Sequence, residues 1–420
     1  MFFVTPFQPG RHMVIAMLLA AFSTPSQALT FEQALRLAQV QAPQLKVREE
    51  GVAAARSNLL PAGELPDPIL ALGIDGLPID GPDAYSVTAD FNTYRRIGVT
   101  QEFPNSAKRR ARVALAQGRV ALAEAQTRIA QLDIVQETAQ AWIERETVEQ
   151  QLARFDTLRA ENRLLDSAVQ AMFAGGKVSA SEAIAPRQEA ALIENRADEL
   201  DARRDQAVAA LRRWVGAAAD EALQGASPDW QIARDGLAHG LRQHPQLTEF
   251  DSRERVLDAE VGEAQAEKKS DWALQLAYQQ RGPQFSNMVS LQVSFDLPLF
   301  PGTRQDPKIA AKRAERAGLD AEREVVLREH TASLESELAD YQRLNNALYR
   351  QREVLLPLAQ EKVTLAMAAW RGNKGSLTEV IGARRERIES ELKSIELDGQ
   401  RRQLAARLHY AYGEYTGEQP

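Results

Sequence analysis

Two periodicities alternate along the chain. In Leu327, Leu334, Tyr341, Leu348 and Leu355 the apolar positions fall seven apart, with Leu338 on the same stripe, and Ile381, Ile388 and Ile395 repeat the step. Seven-residue spacing is the seam of a coiled coil. Upstream the period drops to two: Trp272, Leu274, Leu276 and Tyr278 alternate with Ala273, Gln275, Ala277 and Gln279, and Val289, Leu291, Val293, Phe295 and Leu297 alternate with Ser290, Gln292, Ser294 and Asp296. That pattern predicts a strand hairpin, apolar on one face and small or polar on the other. A rougher version runs from Ile69 to Asp75 and from Ile97 to Phe103, joined by a longer loop through Gly81 and Pro82. Strands are therefore expected at about 67–75, 95–103, 271–280 and 288–298.

Each strand pair is followed by a long helical stretch, from about Lys108 to Phe173 and from about Lys308 to Trp370, nearly free of glycine. At the rise of an α-helix each reaches roughly 100 Å. Pro357, inside the second, is expected to kink it, since proline lacks an amide donor and crowds the preceding turn. Ser181 to Val215 and Thr378 to Tyr412 then return antiparallel. The two reversals share a motif. Ala171-Met172-Phe173-Ala174-Gly175-Gly176-Lys177-Val178-Ser179-Ala180-Ser181-Glu182 comes back as Ala368-Ala369-Trp370-Arg371-Gly372-Asn373-Lys374-Gly375-Ser376-Leu377-Thr378-Glu379. Glycine just past a helical run suits the left-handed residue that stops a helix, and Ser-x-x-Glu is a capping box that starts the next.

The chain matches itself elsewhere too. Pro43-Gln44-Leu45 recurs as Pro245-Gln246-Leu247, and Phe103-Pro104 is answered by Leu297-Pro298. The offset is close to two hundred residues each time, the mark of a duplicated unit. Thr30 caps a helix from Phe31, and a second helix runs from Pro43 to Leu60, ahead of Pro61. The predicted organisation is mainly α with a small β part: a first helix-strand-strand-helix repeat over 29–226, with its helical hairpin at about 107–216 and tip at 174–181, and a second over 227–420, with its hairpin at about 307–413 and tip at 371–378.

Residues 1–28 read as a leader. Arg11 and His12 precede an apolar run from Met13 to Phe22, and Ser26-Gln27-Ala28 offers small residues where a signal peptidase cuts. The run is short of the ~20 residues a membrane span needs, and no later stretch qualifies. There is no cysteine, hence no disulfide, thiolate metal site or lipid-modified amino-terminal cysteine. A net charge of −7 argues against a nucleic-acid partner. No nucleophile elbow, His-Glu-x-x-His or phosphate loop occurs, so no enzyme and no cofactor are expected. His239 and His244 are five apart, a poor helical chelate, and are expected at the surface rather than as metal ligands.

Strands of about ten residues with one apolar and one polar face are the wall pattern of an outer-membrane barrel. Trp272, Leu274, Leu276, Tyr278, Val289, Leu291, Val293 and Phe295 are then the lipid face. Four strands cannot close, since the smallest barrels need about eight, and an open edge cannot stand in lipid. Several chains must share one barrel, two copies giving eight strands and three giving twelve, and only the larger option leaves a water-filled lumen. The heptads alone fit a soluble periplasmic coiled-coil scaffold or adaptor equally well.

The duplicated plan, the seam and the twin tip motifs resemble the TolC-type outer-membrane efflux factors over essentially the whole chain after the leader. Leu65-Pro66-Asp67-Pro68, Gly73, Gly76-Leu77-Pro78 and Arg96-Ile97-Gly98-Val99-Thr100-Gln101-Glu102-Phe103-Pro104 look more narrowly like the CzcC-type branch, which serves heavy-metal pumps of the resistance-nodulation-division class. The resemblance implies a homotrimer with a twelve-stranded outer-membrane barrel continued by a coiled-coil tunnel in the periplasm of a Gram-negative cell. Its tips would meet a periplasmic membrane-fusion adaptor, which engages an inner-membrane proton-driven pump. Carried onto this sequence, Gly175, Lys177, Ser179, Gly372, Lys374 and Ser376 are the adaptor contacts, and Glu379 lines the periplasmic constriction. Gly382 stands where some relatives carry a second acid, and Pro186 in the first tip helix is a further departure. The implied function is passive conduction of exported heavy-metal cations. Drug or protein export through the same architecture is the alternative within transport.

Overall fold

The computed structural model describes residues 28–413. The expected leader, 1–28, lies outside them except for Ala28. The first half runs α1 (Phe31–Gln41), α2 (Pro43–Leu59), β1 (Ile69–Asp75), β2 (Tyr94–Phe103), α3 (Ser106–Ala174) and α4 (Ala180–Val215). The second repeats that order as α5 (Arg234–Gln243), α6 (Pro245–Ala266), β3 (Trp272–Gln280), β4 (Met288–Phe295), α7 (Gln305–Arg350), α8 (Leu356–Arg371) and α9 (Leu377–Tyr412). The strands form one antiparallel sheet in the order β1-β2-β3-β4, so the two repeats join between β2 and β3, with Val99 opposite Leu276. β1 and β4 do not pair with each other; each is an edge among the described residues.

α3, 69 residues long, is the spine. α2 and α6 lie along its first part, and α4 and α9 along the rest. Its caps are local: the Asn105 side chain accepts from the Lys108 amide at 2.9 Å while its amide group donates to the Ala266 and Lys269 carbonyls, which ties the helix start to the entry of β3. The main core sits midway along the helices, where Phe31 meets Trp142 edge-on at 5.4 Å and both pack with Ile143, Leu211 and Trp214. Leu29 is stitched to the connection between repeats, donating to Ala222 and accepting from Gln224.

The predicted seam holds in part. Leu334, Tyr341 and Leu348 are buried, and Leu327 and Leu338 pack beside Tyr412, but Leu355 is 51% exposed. Pro357 does not break the helix. The strain is taken up one turn earlier, where Gln351–Leu355 widen into a π-helical turn that leads directly into α8. The wider turn changes the rotational phase, so Leu355 leaves the stripe. Gln351 is buried there and donates to the Ser390 carbonyl at 3.0 Å and its hydroxyl at 2.6 Å. Pro186 is likewise absorbed within α4, where the buried Asn162 amide donates to its carbonyl at 2.8 Å.

His239 is exposed as expected, but His244 is 5% exposed, and the surface reading of it was wrong. It is the N-cap of α6, its Nδ1 accepting from the Gln246 amide, and its ring lies 4.2 Å from that of His330 on α7, under Tyr412 of α9. The neighbours that bury it come from 86 or more positions downstream, which no local spacing reveals. No group of three or more metal-ligating side chains occurs among the described residues. Burial, then the nearby His330, push His244 down to about 4 from 6.5. Between these values the unfolded chain binds the proton and the folded chain does not, so stability is full above pH 6.5 and falls as pH drops towards 4, by about 3 kcal/mol. The thermal midpoint should fall steeply from pH 7 to pH 4.5. In His244→Asn, which keeps a capping acceptor without the titration, that dependence should be markedly shallower.

Candidate functional site

Two regions carry the expected site residues: the faces of the sheet and the paired helix tips. Register fixes the first. Trp272, Leu274, Leu276 and Tyr278 stand opposite Phe295, Val293, Leu291 and Val289, so all eight predicted residues share one face. Leu274 is half-buried and the other seven are exposed. The pairings extend this face across the sheet to Phe103, Val99 and Ile97 on β2 and to Leu70 and Leu72 on β1. These β1 and β2 positions were missed as site residues because Arg95 and Gln101 interrupt the alternation on that side. Phe103 stacks on Trp272 at 4.1 Å, placing an aromatic pair at the end of the sheet nearest the helices. No helix among the described residues is long and apolar enough to cross a membrane.

The opposite face carries Arg96, Thr100, Glu102, Gln275, Gln279, Ser290, Gln292 and Ser294, with Arg96 paired to Asp75 at 3.2 Å. Gly98 and Ala277 meet there, where a methyl on the glycine would sit 3.1 Å from the alanine Cβ. At the far end the β1–β2 loop folds onto the β3–β4 turn, with Phe91 edge-on to Phe285 at 5.5 Å and Gln284 donating to the Thr88 carbonyl at 2.9 Å. The loop reverses through Gly76, φ +66°, where any side chain would collide with the Asn92 carbonyl.

The tips form in both repeats by the same bonds. After α3, Gly176 donates to Phe173 and Lys177 donates to Met172; after α8, Asn373 donates to Trp370 and Lys374 to Ala369. Each is a Schellman stop. The left-handed residues are Gly176 (φ +68°) and Asn373 (φ +54°), so the expected glycine stop forms in the first tip and is taken by asparagine in the second, while Gly175 and Gly372 have φ of −85° and −84°. The helices run one residue further than a glycine stop at those positions requires, and asparagine tolerates the left-handed region. Both capping boxes are complete: Ser179 exchanges bonds with Glu182 at 3.0 and 3.3 Å, and Ser376 with Glu379 at 3.2 Å each way. The Ser179 amide and hydroxyl both donate to the Glu182 carboxylate and hold it below the usual carboxylate range.

Gly175, Lys177, Ser179, Gly372, Lys374 and Glu379 are exposed and Ser376 is half-buried. The turn uses the serines and glutamates fully, but asks nothing of the side chain at Lys177 or Lys374 beyond an apolar preference that lysine does not meet. The two tips are one body, since Leu165, Val169 and Ala183 of the first share a core with Trp370, Leu377, Val380 and Ile381 of the second. Arg384 and Arg387 of α9 both reach Glu161 of α3 at 2.8 Å.

No family model matches the sequence. No curated protein matches it either. Solved structures do. A membrane protein from Pseudomonas aeruginosa superposes with a TM-score of 0.78 at 16% identity, over 91% of this chain and 92% of that one. CusC, described for its transmembrane channel formation, gives 0.75 at 15%, over 91% and 92%. The outer membrane protein VceC from Vibrio cholerae gives 0.74 at 19%, over 91% and 96%. The chain has the fold of these membrane proteins along nearly their full length.

Proposed function

We propose that this chain is the outer-membrane channel of a three-part efflux system, and that three copies join their sheets into a twelve-stranded barrel above a helical tunnel. The observation that carries this is the four-stranded sheet: apolar outward, polar inward, and open at both edges. Lipid tolerates no unpaired edge, so such a sheet needs further strands, and further copies of the same chain supply them. The channel performs no covalent chemistry; energy comes from an inner-membrane pump joined through an adaptor.

The tips are the adaptor contact, with Lys177 and Lys374 as the charged anchors and Gly175, Ser179, Gly372 and Ser376 shaping the turn that presents them. Glu379 lines the periplasmic aperture while serving its capping box, since its exposed carboxylate accepts a single hydrogen bond, from the Ser376 amide. Three copies would place three carboxylates at one ring, which draws cations in. The cargo is heavy-metal cations, a reading supported by the sequence resemblance in residues 65–104. Deleting the protein and growing cells against panels of metals and drugs tests it. Sensitivity to metals is expected, and sensitivity confined to drugs would defeat the cargo assignment. Reversing both lysines, Lys177→Glu with Lys374→Glu, should weaken adaptor binding about tenfold or more and leave outer-membrane insertion intact, measured by co-purification of the adaptor.

A further inference from the structure

Below the aromatic end of the apolar face the chain leaves β4 through residues 296–304 before entering α7. Leu297, Leu299 and Phe300 on this connection are exposed and continue the stripe of Val293 and Phe295. Beneath them is a groove of roughly 560 Å³ lined by that connection, by the start of α3 and by the segment between α6 and β3. Most charges around it are matched: Lys108 pairs with Asp271, Lys268 with Asp306, and Lys308 with Glu267. Three lining charges have no side-chain partner among the described residues, the cations Lys269 and Arg304 and the carboxylate of Asp296. Gln305, also in the lining, has a buried side-chain oxygen with no hydrogen bond.

The Gln305 acceptor, buried without a partner, is costly unless something completes it, and the exposed Lys269, Arg304 and Asp296 around it present charges of both signs to whatever does. We propose that this groove binds the headgroup of a zwitterionic, ethanolamine-type glycerophospholipid from the periplasmic leaflet. Lys269 and Arg304 hold the phosphate, Asp296 and the Gln305 oxygen accept from the primary ammonium, and the acyl chains rise over Leu297, Leu299 and Phe300 onto the lipid-facing strands. The charge pattern selects the class: a purely anionic headgroup brings like charge to Asp296 and no donor to the Gln305 oxygen, and a trimethylated ammonium has no N–H to donate. With no cysteine to carry a lipid anchor, the chain gains here a non-covalent one. The inference rests on the membrane-channel reading above.

The test reconstitutes the full chain into nanodiscs of equimolar phosphatidylethanolamine, phosphatidylglycerol and phosphatidylcholine, re-extracts it in mild detergent, and counts retained lipids per chain by mass spectrometry. Wild type should retain phosphatidylethanolamine about fivefold over phosphatidylcholine, the scale of one net hydrogen bond. Lys269→Ala with Arg304→Ala should reduce retention to the bilayer ratio, and Asp296→Asn should shift it towards phosphatidylglycerol. Equal retention by wild type and the double variant would overturn the headgroup site while leaving the channel intact. Loss of the oligomer in the double variant, with no lipid selectivity in wild type, would assign the groove to a neighbouring copy instead. Failure of the wild type to enter nanodiscs would overturn both the site and the membrane reading.

Discussion

Arginine at both Leu276 and Leu291 should keep the chain out of the outer membrane. These residues face each other at mid-strand on the apolar side of β3 and β4. A charge at the midplane of a lipid-facing strand costs about 2–4 kcal/mol, so the pair costs roughly twice that. The matched control lies one position away, where Gln275 faces Gln292 on the polar side of the same strands. Arginine at both of those should insert normally, because the proposed barrel turns that side to water. Heat-modifiable protein in the outer-membrane fraction reads both outcomes, and equal behaviour of the two pairs would mean that the assigned sidedness is wrong.

The second large effect is expected far from the sheet. Glu146 on α3 and Arg402 on α9 form an ion pair 6% and 7% exposed, and Arg402 also donates to the Ser227 hydroxyl at 2.8 Å. Beside them Arg145 donates to the Ala219 and Glu221 carbonyls at 2.7 Å each. The two arginines thus fasten the connection between the repeats to the helical spine. Removing one member of a buried pair costs about 3–5 kcal/mol when the other charge is left alone; Asp398, 3.5 Å from the Arg402 Nε, still faces the guanidinium, so the loss is expected at about 3 kcal/mol or somewhat less. Glu146→Ala should lower the thermal midpoint and expose residues 221–230 to protease, whereas the exposed counterpart Glu199→Ala, which only loses a surface pair with Arg196, should change little.

Sequence spacing revealed what depends on near neighbours. Strand parity in residues 272–295 and the Ser-x-x-Glu boxes are set by residues a few positions apart, and they form as read; the second helix stop does not, its left-handed residue being Asn373 and not a glycine. The mid-chain turn before Pro357 was not legible, because proline specifies a lost bond and not how the helix absorbs it. Nor was the burial of His244, which needs α7 and α9 to close over it. The β2–β3 pairing joins segments far apart in the chain, and only that pairing reveals Val99, Ile97, Leu70 and Leu72 as part of the same apolar face. Unmatched charges such as Lys269 and Arg304 become visible only when every other ion pair around them has been placed.

Cysteine pairs offer the most direct measurement, since the chain has no cysteine of its own. Single cysteines along β1, at Leu70 or Leu72, combined with one along β4, at Leu291 or Val293, and oxidised in intact outer membranes, report which edge meets which. If neighbouring copies complete the wall, the products should form a ladder that stops at three chains. Cross-links confined to one chain, or none in membranes that contain the protein, would contradict it.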